Sequence, residues 1–486
     1  MANTRADPPV PKLPRRLSRE RLIPLIVAVA LFMETMDSTV ISTALPAIAL
    51  DLHTEPLTLR LAVTAYLLSL AIAIPASGWI ADRFGARNVF RTAIGVFMLG
   101  SLGCAFSDSL TTFVLARIVQ GAGGAMMTPI GRLILARTVD KRDLVNALAW
   151  LTIPALIGPI TGPPLGGFIT TFASWHWIFL INIPIGIAGI FLVTRYIEDV
   201  RAEERHPFDL RGWIFAGLGL AGLAFGFSVI GLPFMPTWAL AGLLLGGAAF
   251  TTAYVIHARH HPRPVLDFTL LRRATLYTTV VGGGLFRTGA GALPFLLPMM
   301  LQLGFHLTPF QSGMITFSTA IGSMQMKVVV PFALKRFGFR QVLLGNAVFV
   351  AVTLASCALF TATTPYALMV LVLVVGGFFR SLQFSAVNAI AYAELAPAEI
   401  SRATPVIAVA QQLSMSAGVA LGAIAVDVMM HINGHAAPQA SDFPAAFIFV
   451  GLVSLSSALV FWRLPENAGE ELANRLPVPT EDQRAG

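Results

Sequence analysis

The chain has 486 residues, 56% of them hydrophobic and only 12% charged, with a formal net charge of +8. A soluble globular domain carries about 25% charged residues, so this composition excludes that class and points to a polytopic membrane protein. The positive balance does not signal a nucleic-acid partner, because the basic residues are scattered between apolar segments and form no continuous basic face.

The N-terminal tail carries Lys12, Arg15, Arg16, Arg19 and Arg21 before an apolar run. It resembles a signal peptide, but the run contains two acids and no cleavage site, so it reads as a retained first helix. Segments long enough to cross a hydrocarbon core of about 30 Å at about 1.5 Å per residue fall at 22–44, 57–80, 89–107, 110–136, 145–170, 177–196, 211–231, 237–257, 275–302, 310–333, 341–361, 365–392, 404–430 and 443–463. The expectation is an all-α protein with fourteen spans. Of the 33 Lys and Arg, all but Arg60, Arg117, Arg132, Arg287, Lys327 and Arg380 fall in, or at the edge of, the two tails and the loops on the N-terminal side. Positive residues concentrate in cytoplasmic loops, so both termini are expected inside. The two cysteines, Cys104 and Cys357, sit mid-segment in opposite halves and give neither a disulfide framework nor a cysteine metal site.

Phe32-Met-Glu-Thr-Met-Asp-Ser-Thr-Val-Ile-Ser-Thr-Ala-Leu-Pro46 places two carboxylates inside the first segment. An ionised group near the bilayer centre costs about 2.5 to 3.5 kcal/mol on insertion scales, so such residues face a polar interior and do work there. Glu34 and Asp37 are three residues apart and share one helical face, which reads as the lining of a pathway.

An internal repeat follows. Gly78-Trp-Ile-Ala-Asp-Arg-Phe-Gly-Ala-Arg87, after the second segment, is echoed by Pro331-Phe-Ala-Leu-Lys-Arg-Phe-Gly-Phe-Arg340 after the tenth. Two related halves result. The expected organisation is a tail (1–21), an N-terminal six-helix bundle (22–196), linkers with two extra helices (197–274), a C-terminal six-helix bundle (275–463) and a second tail (464–486). Paired repeats around a central site are the architecture of many secondary transporters.

The residues resemble the major facilitator superfamily, in its fourteen-helix drug:proton antiporter branch (the EmrB/QacA type), with details similar to the subgroup around MdtD. The resemblance spans nearly the whole chain and rests on Asp37 through Pro46, Gly78 through Arg87, Arg117-Ile-Val-Gln-Gly121, Gly158-Pro-Ile-Thr-Gly-Pro-Pro-Leu-Gly-Gly167 and Trp175-His-Trp-Ile-Phe-Leu-Ile-Asn-Ile-Pro-Ile-Gly186. Ala86 and Asn88 depart from it, standing where the loop motif commonly has basic residues. What the resemblance implies is export coupled to proton entry across a cytoplasmic (inner) membrane.

Each motif also has a physical reading. Counting along the helices puts Arg117 about 10 Å below the outer surface and Asp37 about 22 Å up the core, at similar depth. Burial and a neighbouring cation act in opposite senses on a carboxylate's proton affinity. Asp37, with Glu34, is therefore expected to carry protons and Arg117 to tune the exchange, against the alternative of a structural ion pair. Gly158, Gly162 and Gly166 recur every four residues, with Pro159 among them, and are assigned to gating between bundles, plain packing being the alternative. Gly78, Asp82, Arg83, Gly85 and Arg87 read as an inner latch, or as a topological anchor. In the C-terminal half no carboxylate lies at the depth of Arg287 and Arg380, which are expected to bind substrate or to pair across the cleft with Glu34; Lys327 is a further candidate, with snorkelling to the cytoplasmic surface as the alternative, as are Gln120 and, with bundle-stabilising hydrogen bonds as their commoner role, Gln383 and Asn388.

The expected function is a proton-coupled efflux antiporter of multidrug-exporter type working by alternating access on a small-molecule substrate. An exporter of an organic anion such as a polycarboxylate, an importer or uniporter on the same fold, and a non-transporting membrane receptor are the alternatives. His257, His260 and His261 have helical spacing for a metal but read as a solvated helix end, so no metal site is expected. No phosphate-cradling Gly-Lys-Ser/Thr loop and no converging catalytic set exist in the sequence, so neither a cofactor nor an enzyme is expected. Membrane lipid surrounds the spans, and no residue pattern specifies a periplasmic adaptor.

Overall fold

The computed structural model describes residues 19–138, 144–198, 207–232 and 235–470. The tail with Lys12, Arg15 and Arg16 and the side chain of Lys327 lie outside what it describes. The regular elements among the described residues are all helical. In chain order the long helices are α1 (Arg19–Val40), α2 (Arg60–Phe84), α3 (Ala86–Ala105), α4 (Leu110–Thr138), α5 (Leu144–Phe172), α6 (Asn182–Tyr196), α7 (Leu210–Ser228), α8 (Thr237–His260) and α9 (Gly283–Met299). The helix Pro309–Ser356 is broken at Gly338 into α10 (309–337) and α11 (339–356). There follow α12 (Tyr366–Ile390), α13 (Pro397–Asn433) and α14 (Phe443–Phe461).

Twelve helices among the described residues are long and apolar enough to cross a membrane. The two expected segments outside that set, 145–170 and 310–333, are helical within Leu144–Phe172 and Pro309–Ser356. The internal repeat has a backbone counterpart. Gly85 between α2 and α3 has φ 91° and ψ 133°, and Gly338 between α10 and α11 has φ 75° and ψ 167°. A residue without Cβ takes such positive φ values freely, so both halves turn the chain at the same motif position by the same means.

Packing divides the molecule along its length. Call the near end the one where α1 begins and α14 finishes. There, one buried cluster draws only on residues 23–197 and another only on residues 326–468. At the far end a single cluster joins both groups, from Val40 and Leu45 through Phe286 and Leu296 to Phe447. Polar contacts seal that end as well: Gln302 Nε2 donates to Thr43 O (2.9 Å), and Phe310 N donates to Thr171 Oγ1 (3.0 Å). At the near end α2 and α13 part around a hollow of about 500 Å³, lined by Gly78, Trp79, Asp82 and Arg83 on one wall and by Ser401 and Thr404 on the other. The bundles meet at the far end and separate toward the near end.

The inserted pair α7 and α8 rides on α2. Trp213 Nε1 donates to Ile72 O (2.8 Å), and glycines on both helices bring α7 and α8 together, a Cβ on Gly222 falling 2.7 Å from Gly247 Cα. Beyond α8 the chain crosses the near end of α13, where Asp267 contacts Arg402 and Arg273 Nη2 donates to Glu399 Oε1 (3.3 Å).

Candidate functional site

The polar centre of the first bundle is built around Asp37, which has no exposed surface and lies in the last turn of an apolar helix. Arg117 Nη1 of α4 donates to its Oδ2 (2.7 Å), while Gln120 Nε2 of α4 and Asn182 Nδ2 of α6 donate to its Oδ1 (2.8 and 3.0 Å). The same two amides also donate to Ser101 Oγ of α3, at 2.7 and 3.0 Å. Arg117 Nη1 donates in addition to Gln120 Oε1 (2.6 Å), and its guanidinium lies 4.1 Å from the centroid of the Tyr66 ring on α2. Five helices thus contribute to one web, with three of them meeting at the carboxylate itself. A buried ion pair is tolerated only when its remaining lone pairs and protons find partners, which is what this web supplies.

Close helix approach makes the web possible. A Cβ on Gly100 would fall 2.4 Å from Gln120 N, so the bare glycine surface lets α3 and α4 come near enough for Ser101 and Gln120 to meet. The web is not fully closed. Arg117 Nε, Asn182 Oδ1 and Tyr66 OH are buried without a hydrogen-bond partner among the described residues.

Glu34, one turn toward the near end, behaves differently. It is partly exposed, and Thr128 Oγ1 of α4 donates to its Oε2 (2.9 Å). The two acids of α1 therefore occupy one fully buried and one partly buried position on the same face.

The other expected site residues fall into three groups. Gln120, expected to bind substrate, is instead fully buried in the Asp37 web; Gln383 accepts from Asn346 Nδ2 (2.7 Å) and donates to Leu343 O (3.2 Å), bracing α11 against α12. Both have their hydrogen bonds committed inside a bundle, which corrects that expectation. Asn388 is exposed and accepts from Arg287 Nη2 (2.7 Å), whose Nη1 donates to Thr279 O (3.3 Å). A π-turn at Thr278–Gly282 sits beside α9 where that carbonyl is presented. Arg380 is half-buried on α12 and makes no hydrogen bond or ion pair among the described residues.

The glycine stripe of α5 also needs correcting. Cβ atoms on Gly158, Gly162 and Gly166 would fall 2.2 to 2.3 Å from Thr35, Thr39 and Val40 of α1, so the stripe packs within one bundle. Contact between bundles uses the neighbouring face, about 100° around the helix, where Gly167 meets Pro309 O and Gly313 of α10 meets Pro163 O. Pro159 is exposed. At the near end Arg137 Nη2 of α4 donates to Asp82 Oδ1 (2.7 Å), Arg87 Nη1 donates to Ile197 O (3.5 Å), Arg83 lies over the Trp79 ring, and nothing lies within 4 Å of a Cβ placed on Gly78. The motif is anchored in its own bundle and open toward the hollow.

Ser101, Asn182 and Tyr66 were missed from sequence. Asn182 stood inside the quoted Trp175 to Gly186 stretch, and a buried amide in an apolar span always requires a partner. Asp209, His257 and His261 bring one ligand atom each within 4.8 Å. Asp209 is already committed as the N-cap of α7, accepting from Gly212 N (2.9 Å) with His257 Nε2 at 2.7 Å, and holds the insertion's near end together.

Comparison with known proteins decides the family. Residues 27–258 and 279–480 match the Major Facilitator Superfamily. The chain belongs to the Major Facilitator Superfamily. It is 36% identical over 449 residues to the putative multidrug resistance protein MdtD of Salmonella heidelberg (strain SL476), covering 92% of this chain and 95% of that one. Among solved structures, a D-xylose-proton symporter superposes with TM-score 0.65 at 16% identity, covering 92% of this chain and 98% of the other. The nucleoside transporter NupG gives 0.60 at 14% identity, covering 92% and 98%. As a superfamily member the chain is a membrane transporter of small molecules and not an enzyme. The unmatched stretch between 258 and 279 is the connection that crosses α13.

Proposed function

We propose that the protein is a proton-coupled efflux antiporter of multidrug-exporter type, in the cytoplasmic membrane with both termini inside, alternating access between a near and a far mouth. One observation carries the reading: Asp37 is a wholly enclosed carboxylate held by Arg117, while Glu34, on the same helical face, is partly exposed beneath it. A fully buried and a partly buried acid one turn apart form a two-step route for a proton. The arginine competes with the proton for Asp37, so rearranging the pair loads or unloads the carboxylate. The relatives' printed name, a putative multidrug resistance protein, supports the substrate class. Clustering of Lys and Arg toward the near end supports the orientation.

The test is dye-reported proton movement in proteoliposomes carrying an imposed pH gradient. Adding a lipophilic cation should release protons in wild type, and Asp37→Asn should abolish the response while the protein remains folded. Undiminished proton movement in that variant overturns the reading. Arg380, without a partner among the described residues, favours a second reading in which an organic anion is exported. Lipophilic cations and organic acids assayed side by side separate the two.

A further inference from the structure

Arg60 is one of the largest fully buried side chains in the protein, and the Asp37 web does not use it. It opens α2 at the far end. Its Nη1 donates to Asp427 Oδ2 of α13 (2.5 Å), its Nε to Ser228 O (2.9 Å) and its Nη2 to Ile230 O (2.7 Å), the last two at the end of the inserted helix α7. One guanidinium therefore ties the first bundle, the second bundle and the insertion.

Helix dipoles explain the arginine's partners. A cation at the N-terminus of α2 occupies the unfavourable end of its own helix, whereas Asp427 lies more than a turn before the end of α13, where that helix's dipole has little effect. Arg60 is compensated by the carbonyl end of α7, and Asp427 by Arg60. Leu61, Val229 and Leu232 enclose the spot in apolar surface, which strengthens the bonds by excluding water. The two halves of the junction are unequal. Arg60 is wholly buried and keeps the α7 carbonyls even without Asp427, whereas the Asp427 side chain is 21% exposed and is open to hydration once released.

We infer that Arg60 and Asp427 form the latch of the far mouth, and that the inserted helix α7 holds the arginine in place so that the latch opens on the Asp427 side. This rests on the alternation of two mouths, not on protons being the coupling ion. It assigns the extra helices a part in setting which mouth is open.

The experiment places a reporter, Thr43→Cys, in the far-end contact with Gln302, in a background with Cys104→Ala and Cys357→Ala. Maleimide labelling is followed in nanodiscs without gradient or substrate. Asp427→Asn should label about tenfold faster by populating the far-open state, and Arg60→Lys, with a single donor group, should label faster too. The charge reversal R60D/D427R should remain fast, because an aspartate at 60 faces the α7 carbonyls. Labelling of Asp427→Asn at the wild-type rate overturns the latch, and slow labelling restored by the reversal overturns the part given to α7. Thermal midpoints measured alongside exclude unfolded material. A latch that responds as stated while Asp37→Asn leaves proton movement intact removes the coupling proposal alone.

Discussion

Arg117 Nη1 lies 2.7 Å from Asp37 Oδ2, and neither side chain has more than 1% of its surface exposed. Each of the two substitutions that break this pair strands a buried charge. Arg117→Ala leaves a carboxylate without its counter-charge in a dry site and should destabilise by about 3 to 5 kcal/mol. Asp37→Asn leaves the Arg117 cation without its counter-charge and turns an amide N–H group toward side chains that already donate to this position, so its thermal midpoint should fall comparably. Melting of the two variants in detergent checks this; an unchanged midpoint in either contradicts it.

Gln120→Ala removes a donor to Asp37, a donor to Ser101 and an acceptor for Arg117 at once. Unsatisfied buried partners cost about 1 to 3 kcal/mol. The variant should lose stability, and its transport should depend on pH differently from wild type because the surroundings of the carboxylate have changed. An unchanged pH profile would show that Gln120 serves packing alone.

The stripe on α5 predicts steric intolerance inside a bundle. Gly162→Val puts atoms where Thr39 Oγ1 stands 2.2 Å from the first added carbon. Overpacking of this kind costs about 1 to 3 kcal/mol, so expression and thermal midpoint should both drop. Since the stripe does not touch α10, labelling of the far-end reporter should stay slow in any folded Gly162→Ala protein.

Gly85 and Gly338 should respond alike. At φ 91° and 75° an added Cβ strains the backbone, so Gly85→Ala and Gly338→Ala should each destabilise by about 1 kcal/mol or more. Gly345, by contrast, has no atom within 4 Å of an added Cβ and a negative φ. Its replacement by alanine is the matched control, and should leave the midpoint unchanged or higher.

Arg380→Gln should leave stability intact or raise it, since it removes a half-buried cation that has no partner among the described residues. If the exported solute is anionic, KM for that solute should rise several-fold while transport of lipophilic cations is unaffected. Equal KM values for both solute classes would remove Arg380 from the site.

Much of this was legible in the residues. Hydropathy and the one-sided Lys and Arg placed the helices, and depth arithmetic brought Asp37 level with Arg117, because rise per residue is nearly constant along a helix. The shared Phe-Gly motif marked the two related halves, while the equivalent breaks at Gly85 and Gly338 emerged only from the backbone. Rotation about a helix axis was harder to read. The α5 stripe was assigned to the wrong neighbour because a four-residue spacing names a face without naming what it meets. Gln120 and Gln383 were given to substrate for the same reason. Arg60 was noted as a cation inside an apolar segment, but its partner lies 367 positions later and only the folded chain brings them together.

Both α7 and α8 are long and apolar enough to cross a membrane, and a hairpin of two such helices begins and ends on one side. A single added crossing would have inverted every later helix, exchanging the surroundings of Gly85 and Gly338 and setting the two repeats upside down to each other. Parity is therefore preserved, and the second repeat keeps the orientation of the first however much the added pair changes in sequence.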